Sequence, residues 1–202
     1  MAPAGFTGSP RTTEEAVVRL NALPKPTSVA CFVETLTRPL AIYATNSPFS
    51  AQPAFSNKSP RVFIKLAQLW VSVVIEGDSS YLLEFGYRPP EAELTSIKGE
   101  LKFPLNDAVT LSAPYDRIRT GANTACGACH YNEVRSIDFT NAFASIAFRP
   151  RPDSHIDLSS LAVENATCNW SETPHRCEML SAIFDDGPVV EAAFPDGMAT
   201  FF

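Results

Sequence analysis

Two thiols and an imidazole stand within five residues of one another, in Cys126-Gly127-Ala128-Cys129-His130. Thiols two residues apart can reach the two vinyl groups on one edge of a porphyrin, and an imidazole directly after them lies under the iron as an axial ligand. C-x-x-C-H is therefore the sequence form of covalent haem attachment. Gly127 and Ala128 are small, which lets the backbone lie close to a macrocycle. With five cysteines and three histidines in 202 residues, chance would produce this pentapeptide with a probability of about 0.002, so the spacing carries information. Two other chemistries compete for the same cysteines. A structural zinc site would add Cys168 and Cys177, or His175, but zinc ribbons favour a short spacing in both halves, and here the second is C-x8-C with His130 left over. A redox-active dithiol would want a βαβ setting, which this sequence lacks.

On Cys126 to His130 the chain resembles the c-type cytochromes, and the resemblance covers those residues alone. A C-x-x-C-H this late, behind β-rich sequence, is similar to the arrangement in cytochrome P460 and the β-type cytochrome c′ proteins, although about 70 residues follow His130 here. The resemblance implies one haem c, with Cys126 and Cys129 as attachment points and His130 as proximal ligand. In P460 a lysine is bonded to the haem, for which Lys65 or Lys102 would be the candidates by position in strands. For the sixth iron position, Met198 in FPDGMATFF resembles the methionine loops of many c cytochromes. His155, His175, Met179 and an open site are the alternatives, with Met179 also reading as core on one face of a helix.

A haem would need apolar walls and cations for its propionates. A helix expected over 134–148 would offer Phe139, Phe143, Ile146 and Phe148 to the porphyrin. Arg149 and Arg151, or Arg117 and Arg119, suit bidentate pairing with carboxylates. Cys168 and Cys177 flank the short polar loop NWSETPHR and are expected to form a disulfide. That suits an oxidising compartment, where haem is also attached, so the chain is read as periplasmic or otherwise exported. The first residues show no secretory signal pattern. Cys31, in an apolar run, reads as a buried thiol.

The elements that must position these groups read as α+β. Residues 1–28 are an extended N-terminal arm in which only 14–23 could form a short helix; 29–118 are an antiparallel β-rich part; 119–202 are a haem-binding part of loops and short helices, with 29–202 as one domain. ACFVETL, LAIYA, RVFIKLA, WVSVVIE, YLLEFGY and IKGELKFPL read as strands. Val71, Val73 and Ile75 alternate with Ser72 and Glu76, and Leu101, Phe103 and Leu105 with Lys98, Glu100 and Lys102, so one face of the sheet is expected in water. Short helices are expected at 134–148, 158–166 (capped by Asp157 or Ser154) and 176–184.

Composition narrows the function. The net charge is −6, and residues 121–202 hold 4 Lys/Arg against 11 Asp/Glu, which argues against nucleic acid as a partner. No window approaches the ~20 apolar residues of a membrane span. The expected function is that of an exported monohaem c-type cytochrome in one-electron transfer, or of a haem-bearing subunit of a larger complex, with a redox partner protein. A P460-like haem enzyme or small-ligand binder with an open axial site, and a zinc protein using Cys126, Cys129, Cys168 and Cys177, are the alternatives.

Overall fold

The computed structural model describes residues 7–92 and 94–200 of the chain. Among them α1 (Thr13–Ala22) starts where Thr12 Oγ1 accepts from Glu15 N and ends before Pro24. Its Ala16, Val17 and Leu20 are fully buried in the main core, so this part of the chain is an integral helix and not an extended arm. The segment ACFVETL, expected as a strand, is the helix α2 (Val29–Glu34). Ser28 caps it by accepting from Cys31 N, and Ala30, Phe32 and Val33 turn inward, so packing overrides the β-propensity of the run. Cys31 is thereby half-buried, its Sγ accepting from Ser28 Oγ.

The sheet grows from the expected strands. β1 (Leu40–Thr45), β2 (Arg61–Leu66), β3 (Leu69–Val74), β4 (Leu82–Tyr87) and β5 (Thr95–Lys102) pair antiparallel in chain order. Helix α3 (Ala113–Ile118) lies on β5, where Gly99 leaves room: a Cβ there would meet Pro114 Cβ at 2.8 Å. A two-stranded ribbon, β6 (Arg119–Thr120) and β7 (Asn123–Thr124), then leads into the cysteine motif. β8 (Val134–Arg135) and β9 (Phe143–Ile146) extend the large sheet beyond β5, with Thr95 opposite Ile146 and Ser96 opposite Ser145. The helix expected over 134–148 is thus a hairpin. Asn141, at φ 63°, turns the chain, and Phe143 and Ser145 alternate with Ala144 and Ile146 between inner and outer faces.

β10 (His155–Ile156) closes the far edge on β1; α4 (Leu158–Ala166) and α5 (Pro174–Phe184) follow, and β11 (Val189–Glu191) returns parallel to β1. The fold is α+β, a sheet of nine mostly antiparallel strands with five helices among the described residues. No helix among them is long and apolar enough to cross a membrane. α4 begins at Asp157, whose side chain makes no capping bond. α1, α2, α4 and α5 contribute to the core on one face of the sheet, where Leu161, Met179, Leu180 and Ile183 join Ile42, Ile64, Val71 and Leu83. Cys168 and Cys177 are joined by a disulfide that ties the turn before α5 to that core.

The opposite face is not left in water over β3, all of which is buried. Phe194 stacks on Trp70 at 4.5 Å and meets Tyr43 and Phe63 edge-on. Beside them Gln52 accepts from Ser72 Oγ, and Arg61 bonds both Ser72 and Glu84. Period two correctly separates the faces, but a second layer of chain covers the one expected to be wet.

Two stability effects follow. Gly99→Val should lower the unfolding free energy by about 1–3 kcal/mol in urea titrations, because the added atoms collide with Pro114; an unchanged midpoint would mean that α3 does not sit there. Replacing Cys168 and Cys177 together by Ser should destabilise by about 2–3 kcal/mol through the freed loop. The intact protein should show the corresponding mass shift on reduction.

Candidate functional site

The motif is a single tight turn. Residues Ala125–Ala128 are 3-10 helical, and Cys126 O accepts from both Cys129 N (3.1 Å) and His130 N (2.8 Å). Glu133 fixes the turn from outside, its carboxylate accepting from Thr124 N (2.9 Å) and Thr124 Oγ1. That carboxylate lies over Gly127, where a Cβ would stand 2.5 Å from Glu133 Oε2. A side chain at that position would oblige the Glu133 carboxylate to move. Cys126 is half-buried, Cys129 is exposed, and neither is in a disulfide.

His130 turns inward against the end of β9. Its Nδ1 lies 2.8 Å from Ile146 O, and Ile146 N reaches Tyr131 O at 3.4 Å, so residues 130–131 are tied to the end of β9. With the proton on Nδ1 and donated to that carbonyl, Nε2 is the nitrogen with which the ring would bind a metal. Phe148 packs on the ring at 5.4 Å and on Tyr131 at 5.8 Å. Burial, and secondly the charge of Lys98, push the imidazole pKa down to about 4, against the bond to Ile146, so it is neutral at pH 7.

Lys98, expected in water, lies within this cluster. Its Nζ donates to Ser145 Oγ (2.9 Å), Ser96 Oγ (3.0 Å) and Ile146 O (3.2 Å). Burial pulls its pKa down to about 8, while Cys126, Glu133 and Glu84 oppose the shift. Burial and the charge of Glu84 raise the Cys126 thiol to about 11. A cavity of about 390 Å³ beside the turn is lined by Asn123, Thr124, Gly127, Ala128, Tyr131 and Glu133, among others. The next loop exposes Tyr131, Val134 and Ile137, the last at 97%.

The other candidates divide. Phe143 is buried on β9, on the same side of the strand as Ser145. Phe139 packs away from the motif, against Tyr87 and Tyr115. Arg149 holds the C-terminal segment: its Nε donates to Met198 O at 3.0 Å and its N to Ala199 O, one residue after Phe148. Met198 is packed inside that segment at 5% exposure; Phe201 and Phe202 lie outside the described residues. Arg151 pairs with Asp153 on the surface, Arg117 with Glu100, and Arg119 bonds Asn141. Met179 is core. His155 bonds Glu191 at the far edge of the sheet, and His175 stacks on Tyr81 and bonds Ser80. Lys65 lies over Trp70. Lys102 is exposed at the end of β5. The four-cysteine zinc set is not assembled, because Cys168 and Cys177 are bonded to each other.

The donor set fits a covalently attached haem. Two unbridged thiols share one turn, a neutral imidazole is oriented by a backbone carbonyl, and the exposed Tyr131 lines a cavity beside the turn. The turn was legible from its spacing. Lys98, Ile146 O and Glu133 were not, since each acts only through a contact made across the fold.

His130 has a folded pKa of about 4, below the unfolded value of about 6.5. The unfolded state then binds the extra proton as pH falls through that window. Stability should drop from about pH 6.5 to pH 4 by about 2–3 kcal/mol. His130→Gln should flatten that part of the pH profile of unfolding; an unaltered slope would show that the ring is not buried. No protein-family model, curated protein or solved structure shows significant similarity to this chain.

Proposed function

We propose that this chain is an exported monohaem c-type cytochrome on a β-rich scaffold, serving one-electron transfer to a redox partner protein or within a larger complex. The observation that carries the reading is the Cys126–His130 turn, with both thiols outside any disulfide and the imidazole held on Ile146 O. When bound, haem supplies reversible one-electron chemistry at iron. In this reading Cys126 and Cys129 tether the group, and His130 is its proximal ligand. Ile146 O keeps the ring in one tautomer and orientation. Tyr131, Val134 and Ile137 gain apolar cover that the surface otherwise denies them. Arg149 is the candidate for a propionate contact, while Arg151 is engaged by Asp153.

Two features weigh against the rival chemistries. A catalytic dithiol needs a thiol pKa below its usual range, and that of Cys126 is pushed up to about 11. A zinc ribbon needs four reduced ligands, and the second cysteine pair is oxidised. That disulfide also supports an oxidising compartment.

The test is the visible spectrum of protein made in a host with haem-attachment machinery, oxidised, reduced and under carbon monoxide. The expected result is an intense Soret band that survives acidified-acetone extraction and disappears in the Cys126→Ala, Cys129→Ala double variant. With Met198 as sixth ligand, the reduced protein resists carbon monoxide and Met198→Ala binds it. Binding by the unaltered chain would instead favour the small-ligand reading. A colourless protein holding one zinc ion would end the cytochrome reading.

A further inference from the structure

Lys98 is unusual in this sheet. Its neighbours on the same face either pair their charges or reach solvent: Arg61 is paired with Glu84, and Glu100 with Arg117. Lys98 instead points its ammonium at neutral oxygens, two serine hydroxyls and Ile146 O, with Ser96 O and Ser145 O at 3.4 and 3.5 Å. Among the described residues no carboxylate is bonded to it. A half-buried cation with no carboxylate bonded directly to it is tolerated where neutral oxygens compensate. Its opposite residue on β4 is Gly86, which places no side chain beside it.

One of those oxygens is also the acceptor of His130. Ile146 O lies 2.8 Å from Nδ1 and 3.2 Å from Lys98 Nζ. A carbonyl that receives an imidazole N–H draws the proton and makes the ring a stronger electron donor at Nε2. An ammonium on the same oxygen withdraws that electron density. It also places a positive charge on the very oxygen that the ring bonds, close to the imidazole.

We propose that Lys98 is a positioning residue which acts through Ile146 O on His130 and, by its charge, holds a bound haem at a higher reduction potential than the His130–Ile146 pair alone would. The inference rests on the haem reading above. Both effects have the same sign. Weaker donation from the imidazole disfavours ferric iron, and so does a nearby cation, because ferric haem carries one more positive charge than ferrous. Glu84, Glu133 and Cys126 face the ammonium, and Arg61 adds to the positive field at His130. With a pKa of about 8, Lys98 is predominantly charged at pH 7.

The experiment compares midpoint potentials at pH 7, from spectroelectrochemical titration of the haem-loaded protein, for the unaltered chain and for Lys98→Met, Lys98→Gln and Lys98→Arg. Met keeps the length without charge; Gln keeps hydrogen bonding to the serines and covers the case in which Met does not fold. Both neutral variants should shift the reduced-to-oxidised ratio at fixed potential at least tenfold toward ferric, about 59 mV, and Arg should restore the original value to within twofold in that ratio. Neutral variants that retain haem at an unchanged potential overturn the proposal and leave the cytochrome reading standing. Arg falling as far as Met and Gln also overturns it, since shape and not charge would then be at work. An unaltered chain that takes up no haem removes both readings.

Discussion

One backbone oxygen organises the region around the Cys126–His130 turn. A buried carbonyl must be hydrogen-bonded, or it costs the fold the desolvation of a strong dipole. Ile146 O meets this demand with His130 and Lys98. Its position is set by the β5–β9 register, which puts Thr95 opposite Ile146 and Ser96 opposite Ser145. Shifting β9 by one residue against β5 would turn Ser145 to the opposite face and move Ile146 O away from Lys98, leaving Ser96 on β5 itself as its remaining side-chain acceptor. The placing of the His130 ring and of the half-buried Lys98 amine therefore depends on one strand pairing made between residues about fifty positions apart.

The two halves of the sheet's second face solve different problems. Near β1 to β3 an aromatic layer of Tyr43, Phe63, Trp70 and Phe194 excludes water. Toward β4 and β5 the face is polar, and its charges are managed by Arg61 with Glu84, by the serines around Lys98 and by Glu133 over the turn. Burial at this polar end moves three pKa values away from their solution values, all toward the neutral form: Lys98 and His130 downward, Cys126 upward. Groups held away from their preferred charge state gather where a protein does chemistry more often than where it only packs.

Much of the architecture could be read from the chain. Alternation gave the strands from Leu40 to Lys102, because a half-buried strand must place every second side chain inward. α4 and α5 also lie close to where helices were expected. The errors were local ambiguities resolved by distant contacts. ACFVETL has the composition of a strand, yet a serine cap and a waiting helical layer made it α2. The stretch 134–148 has helical spacing of Phe139, Phe143 and Ile146, yet the open edge of β5 offered backbone hydrogen bonds that made it a hairpin. An unpaired edge competes well with a weak helix, because the partner strand is already ordered.

What the residue order settled by itself was covalent and short-range. It set the two thiols and the imidazole in one turn, the pair of cysteines near enough to close a small loop, and the alternation that divides a sheet into two faces. Tertiary structure decided what lies over each face. Alternation says that Lys98 points away from the core, but not that β9 and the His130 turn will come down upon it. Chain segments that meet across the fold exchange no information through local propensity; their meeting is decided by which surfaces can bury apolar area and satisfy backbone dipoles together.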